Sequence, residues 1–124
     1  MLDHELWLAA AHYTPTGDAL IPTGQIATVE GTPLDFTKPT RIGARIAQLY
    51  PKPGGYDHNF VLDGEPRQRD AVPPGSGKPL VLAARVRAPV SGREVEVRTT
   101  EPGVQVYTGN HLFSSSTALA FSVN

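Results

Sequence analysis

The sequence predicts an all-β fold, a sandwich of antiparallel strands, and three observations support that prediction. Glycine and proline are frequent, with 12 of each among 124 residues, which favours short elements joined by many turns. Apolar and polar residues alternate over several short stretches, as they do in strands with one buried face. The clearest two of these stretches, 80–88 and 93–100, flank the turn sequence P-V-S-G and predict a hairpin.

The first regular element is expected within residues 4–11. Leu6 and Leu8 alternate with Glu5 and Trp7, which indicates a strand, whereas the three alanines that follow would also suit a short helix. The turn-rich sequence beyond favours the strand. Proline and glycine then predict turns at 14–18 and 22–24, a strand at 25–30 and a short extended piece at 34–36.

Residues 40–49 predict one short helix. Ile42, Ile46 and Leu49 recur at helical spacing, and Thr40 is a plausible N-cap. Gly43 weakens this helix by about 1 kcal/mol relative to alanine. Pro51 limits it to two or three turns.

Three further strands complete the predicted sandwich. Residues 58–63 place Phe60 and Leu62 on one face, and residues 104–108 place Val104 and Val106 inward. A polar loop at 64–79 separates the first of these from the hairpin. On its first strand the hairpin is expected to present one apolar face, made of Leu80, Leu82, Ala84 and Val86.

Charge and composition exclude several classes of function. A net charge of -1 argues against a nucleic-acid binder or a membrane-surface cation, since both need basic clusters. The count of zero cysteines excludes disulfides and thiol catalysis, and no apolar run approaches the roughly 18 residues of a membrane span. Asp3, His4 and Glu5 interrupt any secretory h-region after Met1, so a cytoplasmic domain is expected.

Two clusters of polar and aromatic residues are candidates for chemistry. Residues 54–60 place Tyr56, Asp57, His58 and Asn59 after a glycine pair, which suits either close approach of a ligand or a loop–strand junction. Residues 99–110 alternate apolar and polar side chains, as in a half-exposed strand or a sugar-contacting surface. The four histidines show no metal-ligand spacing, so no metal site is predicted.

Together these clusters resemble the aldose 1-epimerase (galactose mutarotase) family. The strings that carry the resemblance occur in the family's order over residues 2 to about 112. They are L-D-H-E-L at 2–6, Y-T-P at 13–15, I-P-T-G at 21–24, G-T-P-L-D-F at 31–36, I-G at 42–43, G-Y-D-H-N-F-V-L at 55–62, S-G-R at 91–93 and T-T-E-P-G-V-Q-V-Y-T-G-N at 99–110. The long strings at 55–60 and 99–110 are the most specific.

The resemblance implies a partial mutarotase-type β-sandwich and cofactor-free interconversion of the α and β anomers of aldoses such as galactose or glucose. A carboxylate base and a histidine acid would open and reclose the sugar ring. Asp57 and Gln105 resemble the family's sugar-contacting aspartate and glutamine, and an aldose is the partner expected. Glu101 is not expected to be the base, because family members can carry glutamine at that position.

The departures from the family concern catalysis. The acid histidine belongs to an H-x-Y-F-N-L motif and the base glutamate to an L-E-x-Q motif, and neither motif occurs in these 124 residues. We therefore expect no catalytic residue here, a partial domain at 1–112 and an atypical tail at 113–124, whose composition suggests an out-of-frame end. The chain alone should be inactive; the alternatives are a non-catalytic carbohydrate-binding remnant and a structural domain without a ligand.

Overall fold

A computed structural model of the chain describes residues 1–50, 54–63, 77, 79–110 and 120–123. Over these residues the chain forms two antiparallel sheets, which confirms the predicted all-β sandwich. The described strands are β1 (Glu5–Leu8), β2 (His12–Tyr13), β3 (Ala27–Thr28), β4 (Thr40–Arg41), β5 (Asp57–Val61), β6 (Val81–Arg87), β7 (Glu94–Thr99), β8 (Gly103–Tyr107) and β9 (Ala120–Val123).

The two sheets share one core. The first has the strand order β4-β1-β6-β7 and the second the order β3-β2-β5-β8-β9. The chain passes from the first sheet to the second between Leu8 and His12, where Ala9 N–H donates to the carbonyl of Ala83 and Ala11 N–H donates to Asp63 Oδ2. These two bonds fix the crossing segment to Ala83 in the first sheet and to Asp63, which follows β5 of the second sheet.

Because successive side chains of a strand point to opposite faces, every second residue of the strands points into the core. Each large side chain buried there stabilises the fold by about 1.5–3 kcal/mol relative to exposure. Phe36 and Tyr56 come from segments outside the strands, and their rings meet edge to face at 5.1 Å. The fully buried large side chains are Leu6, Leu8, Val29, Phe36, Ile42, Tyr56, Phe60, Val104 and Val106.

The predicted hairpin is confirmed as β6 and β7, but one of its faces differs from the prediction. A bulge between Leu82 and Ala84 shifts the register against β7, so that Leu82 pairs with Arg98 while Ala84 pairs with Val97. Because a shift of one residue exchanges the two faces of a strand, Leu82 does not share the buried face of Ala84 and Val86. The expectation of one continuous apolar face was wrong at this bulge.

The helical segment predicted near 40–49 is present as two 3-10 helices, Ile42–Ala44 and Ile46–Leu49. Thr40 is not the N-cap, because it lies in β4 opposite Leu6. Gly43 N–H donates to the carbonyl of Leu2 at 2.7 Å, and Arg45 between the helices has a non-helical φ of -129°. Tertiary contact with the N-terminal segment therefore overrides the helical spacing of the apolar residues.

Two other predicted segments differ in extent. The strand expected at 25–30 contains only Ala27 and Thr28, at the edge of the second sheet. Most of the loop expected at 64–79 lies outside the described residues, as do 113–119 and Asn124 of the predicted tail. Residues 120–123 pair with β8, and the division of the chain at 112 stays a prediction. Within the described residues, no helix has the length and apolar character that a membrane crossing requires.

Candidate functional site

The two predicted sugar-contacting residues, Asp57 and Gln105, meet on the outer face of the second sheet. They lie on the neighbouring strands β5 and β8, where Asn59 pairs with Gln105 and Asp57 pairs with Tyr107. Gln105 is therefore one diagonal step from Asp57, and its Nε2 donates to Asp57 Oδ1 at 2.8 Å. A bond to an ionised carboxylate is stronger than one between neutral groups, so the amide holds the carboxylate in a defined orientation.

The opposite face of the same strands is packed into the core. Phe60, Val104 and Val106 alternate with the site residues and are fully buried. Since side chains of a strand point alternately to its two faces, burial of these three places Asp57, Asn59 and Gln105 on the other side. The core packing of β5 and β8 thus determines where the polar pair is presented.

A cleft of about 340 Å³ lies over the polar pair. Tyr107 borders it, which places a phenol ring beside a carboxylate and an amide. This combination suits a sugar, because hydroxyl groups bond to the polar side chains while a ring face contacts the aromatic one. The lining residues are Asp57, Gln105, Tyr107, Ala120, Phe121 and Ser122.

A narrower crevice of about 140 Å³ lies on the other side of Asp57 and Gln105. One wall is the polar pair with Asn59, and the other is the turn-rich segment after β2. That second wall consists of Thr14, Thr16, Leu20 and Pro22. The sequence did not indicate this wall, because Thr14 and Asn59 are 45 positions apart and no local pattern joins them.

His58, in the middle of the G-Y-D-H-N-F string, does not share the face of Asp57. Its ring lies edge-on to the rings of Tyr13 and Tyr56, with centroids 6.2 and 6.5 Å away. Burial lowers the pKa of His58, and the neighbouring Asp57 charge opposes that shift only in part. Asp57 N–H donates to His58 Nδ1 at 3.0 Å, so the imidazole is neutral with its proton on Nε2.

Gly55, the second residue of the glycine pair before this strand, has a packing role. A Cβ atom at Gly55 would lie 2.7 Å from Thr108 Oγ1, closer than side-chain carbons approach other atoms. Tyr56 N–H donates to that same Oγ1 at 2.9 Å, and Asn110 Nδ2 donates to the carbonyl of Tyr56 at 2.9 Å. These contacts explain Gly55 and Tyr56 as a loop–strand junction, whereas the Asp57 carboxylate of the same cluster bonds to Gln105.

The remaining polar candidates lie away from the pair. Glu101 is exposed in the turn between β7 and β8, where its N–H donates to Thr99 Oγ1, and it lines neither the cleft nor the crevice. His4 lies beside Asp3 and His12 beside Asp63 at the surface. His111 is outside the described residues, and among those described no three acidic or histidine side chains are grouped as metal ligands.

Comparison with known proteins gives one consistent family. The family model for aldose 1-epimerase matches residues 1–123. Galactose mutarotase of Bos taurus is 42% identical over 110 residues, which are 89% of this chain and 28% of that protein. Aldose 1-epimerase of Escherichia coli is 31% identical over 112 residues, or 89% of this chain and 29% of that protein. The chain therefore spans less than a third of the length of these relatives.

Solved structures agree with the sequence comparison. The galactose 1-epimerase of Lactobacillus acidophilus superimposes with a TM-score of 0.66 at 28% identity, covering 90% of this chain and 30% of that one. An aldose epimerase homologue from C. elegans gives a TM-score of 0.73, covering 97% of this chain and 35% of that one. At 20% identity, the second likeness concerns the fold alone.

Proposed function

Because this chain belongs to the aldose 1-epimerase family, whose model matches residues 1–123, we propose that it carries the sugar-contacting part of an aldose-binding site. The reaction served by such a site is the interconversion of the α and β anomers of an aldose such as galactose or glucose. The observation that carries the proposal is the 2.8 Å bond between Gln105 and Asp57 beside an open cleft.

The chemistry of the pair suits neutral sugars. The Asp57 carboxylate accepts hydrogen bonds from sugar hydroxyls, and the Gln105 amide can both donate and accept. Within the described part of the chain, the bond from Gln105 engages only Oδ1 of the carboxylate. Oδ2 is then the atom that would accept from a hydroxyl of the bound aldose.

The 124 residues alone are proposed to bind an aldose without accelerating its ring opening. Ring opening needs a proton acceptor and a proton donor, and each such group contributes about two to four orders of magnitude. The family's H-x-Y-F-N-L and L-E-x-Q motifs, which supply these groups, do not occur in the sequence. Asp57 and Gln105 are assigned contacts with the sugar and not proton transfer. The proposal requires no cofactor, and the cytoplasmic location stays a prediction.

Binding is tested by isothermal titration calorimetry, in which galactose is added to a solution of the chain and the heat is measured. Trp7 fluorescence is less suitable, because the indole lies in the first sheet, where its Nε1 donates to the carbonyl of Thr37. Asp57→Asn keeps the shape of the side chain but removes its charge, and should weaken galactose binding about tenfold or more. Asp3→Asn removes an exposed carboxylate at the chain start and should leave the affinity unchanged.

Two results would contradict the proposal. A wild-type chain that gives no saturable heat at tens of millimolar galactose would refute the binding site. Polarimetry of freshly dissolved α-galactose tests the second part, because the chain should leave mutarotation at the buffer rate. A rate clearly above buffer would show that the 124 residues include an effective acid or base.

A non-catalytic carbohydrate-binding role is the second candidate, favoured by the same missing motifs. Resequencing the encoding DNA through both ends distinguishes the two. Segments with H-x-Y-F-N-L upstream and L-E-x-Q downstream, in any frame, would make the chain part of an epimerase. Their absence would leave a chain that only binds sugar.

A further inference from the structure

We propose that Asn59 is a positioning residue of the sugar site: it holds the segment of residues 14–24, called the wall hairpin below, against the Asp57–Gln105 pair. The inference rests on the proposed function and extends it to Asn59 and Thr14, to which the resemblance assigned no sugar contact. The wall hairpin would then close one side of the bound aldose.

The first observation is the set of contacts between Asn59 and Thr14. Asn59 Nδ2 donates to Thr14 Oγ1 at 3.2 Å, and Thr14 N–H donates to the carbonyl of Asn59 at 3.0 Å. The Thr14 hydroxyl lies 3.5 Å from the same carbonyl oxygen. Side chain and backbone of Asn59 therefore both engage the residue at which the wall hairpin begins.

The second observation is how closely the Asn59 side chain is confined. Asn59 stands directly opposite Gln105 in the β5–β8 register. A Cβ atom at Gly103 would lie 3.0 Å from Asn59 Oδ1, so the glycine leaves the space that the amide occupies. Asn59 is thus held between β8 and Thr14, and a displacement of its amide would be transmitted to the wall hairpin.

The third observation concerns the wall hairpin itself. Thr16 and Pro22 form an isolated antiparallel bridge, Gly17 N–H donates to the carbonyl of Ile21 at 2.9 Å, and Thr23 N–H donates to the carbonyl of Pro15 at 3.0 Å. At its tip Leu20 has a φ of 60°, in the left-handed region that non-glycine residues rarely adopt. Such a conformation persists only when the surrounding structure holds it in place.

The geometry of the crevice follows from these contacts. Thr14, Thr16 and Leu20 face Asp57, Gln105 and Asn59 across about 140 Å³, and the bonds between Asn59 and Thr14 join the two walls. The crevice offers threonine hydroxyls and an apolar leucine on one wall, and a carboxylate and two amides on the other. It would accommodate a hydroxyl-bearing substituent of an aldose whose ring lies at the polar pair.

The test compares threonine variants in galactose titrations of the full chain. Thr14→Val removes the hydroxyl that accepts from Asn59, and the affinity for galactose should fall about threefold to tenfold. Thr14→Ser retains the hydroxyl and should restore wild-type affinity. Thr40→Val is the matched control, because its hydroxyl bonds to the carbonyl of Lys38 in the other sheet, and it should bind galactose like the wild type.

Amide hydrogen exchange supplies the readout of position. In Thr14→Val the amides of Gly17 and Thr23 should exchange faster than in the wild type, while those of β8 stay protected. If Thr14 had only a structural role, Thr14→Val would have a lower urea midpoint of unfolding, but its affinity for galactose would equal that of Thr40→Val. That result would overturn the inference and leave the proposed function intact.

The two proposals fail in different ways. If the wild type binds galactose and Asp57→Asn does not, but Thr14→Val binds as tightly as the wild type, only the positioning role is refuted. If the wild type itself gives no saturable binding, the proposed function is refuted, and the positioning role with it. If Thr14→Val does not fold, Thr14→Ala, which removes the same hydroxyl without adding a methyl group, enters the same comparison.

Discussion

The Thr108 hydroxyl offers a direct test of how the strand carrying Asp57 is anchored. Thr108 is 2% exposed, and its Oγ1 accepts from Tyr56 N–H at 2.9 Å, one residue before Asp57. Thr108→Val keeps the shape of the side chain but leaves that buried donor without its acceptor. The carbonyl of Tyr56 keeps its bonds from Thr108 N–H and Asn110 Nδ2. The Thr108 hydroxyl also donates to Asn110 Oδ1 at 2.6 Å, but Asn110 is only half-buried and water can replace that bond, so the buried Tyr56 N–H sets most of the cost.

An unsatisfied buried donor costs about 1–3 kcal/mol, so we expect Thr108→Val to lower the free energy of unfolding by about 2 kcal/mol. With a urea m-value of about 1–3 kcal/mol per molar, the midpoint of unfolding should fall by about 1 M. Urea titration followed by far-UV circular dichroism measures this shift.

Thr99→Val is the matched control for this prediction. Thr99 is also buried, but its Oγ1 accepts from the N–H of Glu101, which lies in an exposed turn. Water can satisfy that amide after the substitution, so its cost should stay near the 0.5–1.5 kcal/mol of an ordinary hydrogen bond, or about half that of Thr108→Val. Equal midpoints for the two variants would refute the reasoning that Thr108 anchors the strand.

Two further predictions concern His58 and Gly43. Burial lowers the pKa of His58 in the folded chain, so as the pH falls below about 6.5 the unfolded chain takes up the proton first and His58 should reduce stability. The urea midpoint should therefore fall less steeply with decreasing pH in His58→Gln than in the wild type. An equal fall of the midpoint in both chains would contradict this. Gly43→Ala places a Cβ atom 2.9 Å from the carbonyl oxygen of Leu2 and should lower the free energy of unfolding by about 1–3 kcal/mol. Ala44→Ser, at the exposed neighbouring residue, should change it little. Thermal unfolding of both variants measures the difference.

The sequence predicted the strands best where alternation and turn chemistry agree. The β6–β7 hairpin and β8 have both signals, and each lies within about one residue of its expected bounds. The bulge at Leu82 carried no such signal, since it inserts a residue without changing composition. The segment at 40–49 had a helical pattern, but the contact of Gly43 with Leu2 is long-range and cannot be read from spacing.

The sequence proposed two residues for the candidate site but not their arrangement, and their role as sugar contacts stays a prediction. The resemblance to the aldose 1-epimerase family, confirmed by the match over residues 1–123, singled out Asp57 and Gln105. That their side chains bond to each other depends on the β5–β8 register, which joins positions 48 apart in the chain. The roles of Asn59 and Thr14 depend on a second long-range pairing, so no local pattern could indicate them.

The register that forms the site is held by the core and not by the site itself. A slip of β5 by one residue would turn Phe60 toward solvent and Asp57 toward the face occupied by Val104 and Val106. Exposing the phenylalanine alone would cost about 1.5–3 kcal/mol, and burying an unpaired carboxylate would cost more. The Gln105–Asp57 bond contributes about 1.5–3 kcal/mol at most, less than the sum of the two core terms, so the core and not the bond determines the register. Substitutions that enlarge or shrink the buried face of β5 should therefore disturb sugar binding even though they touch no residue of the cleft.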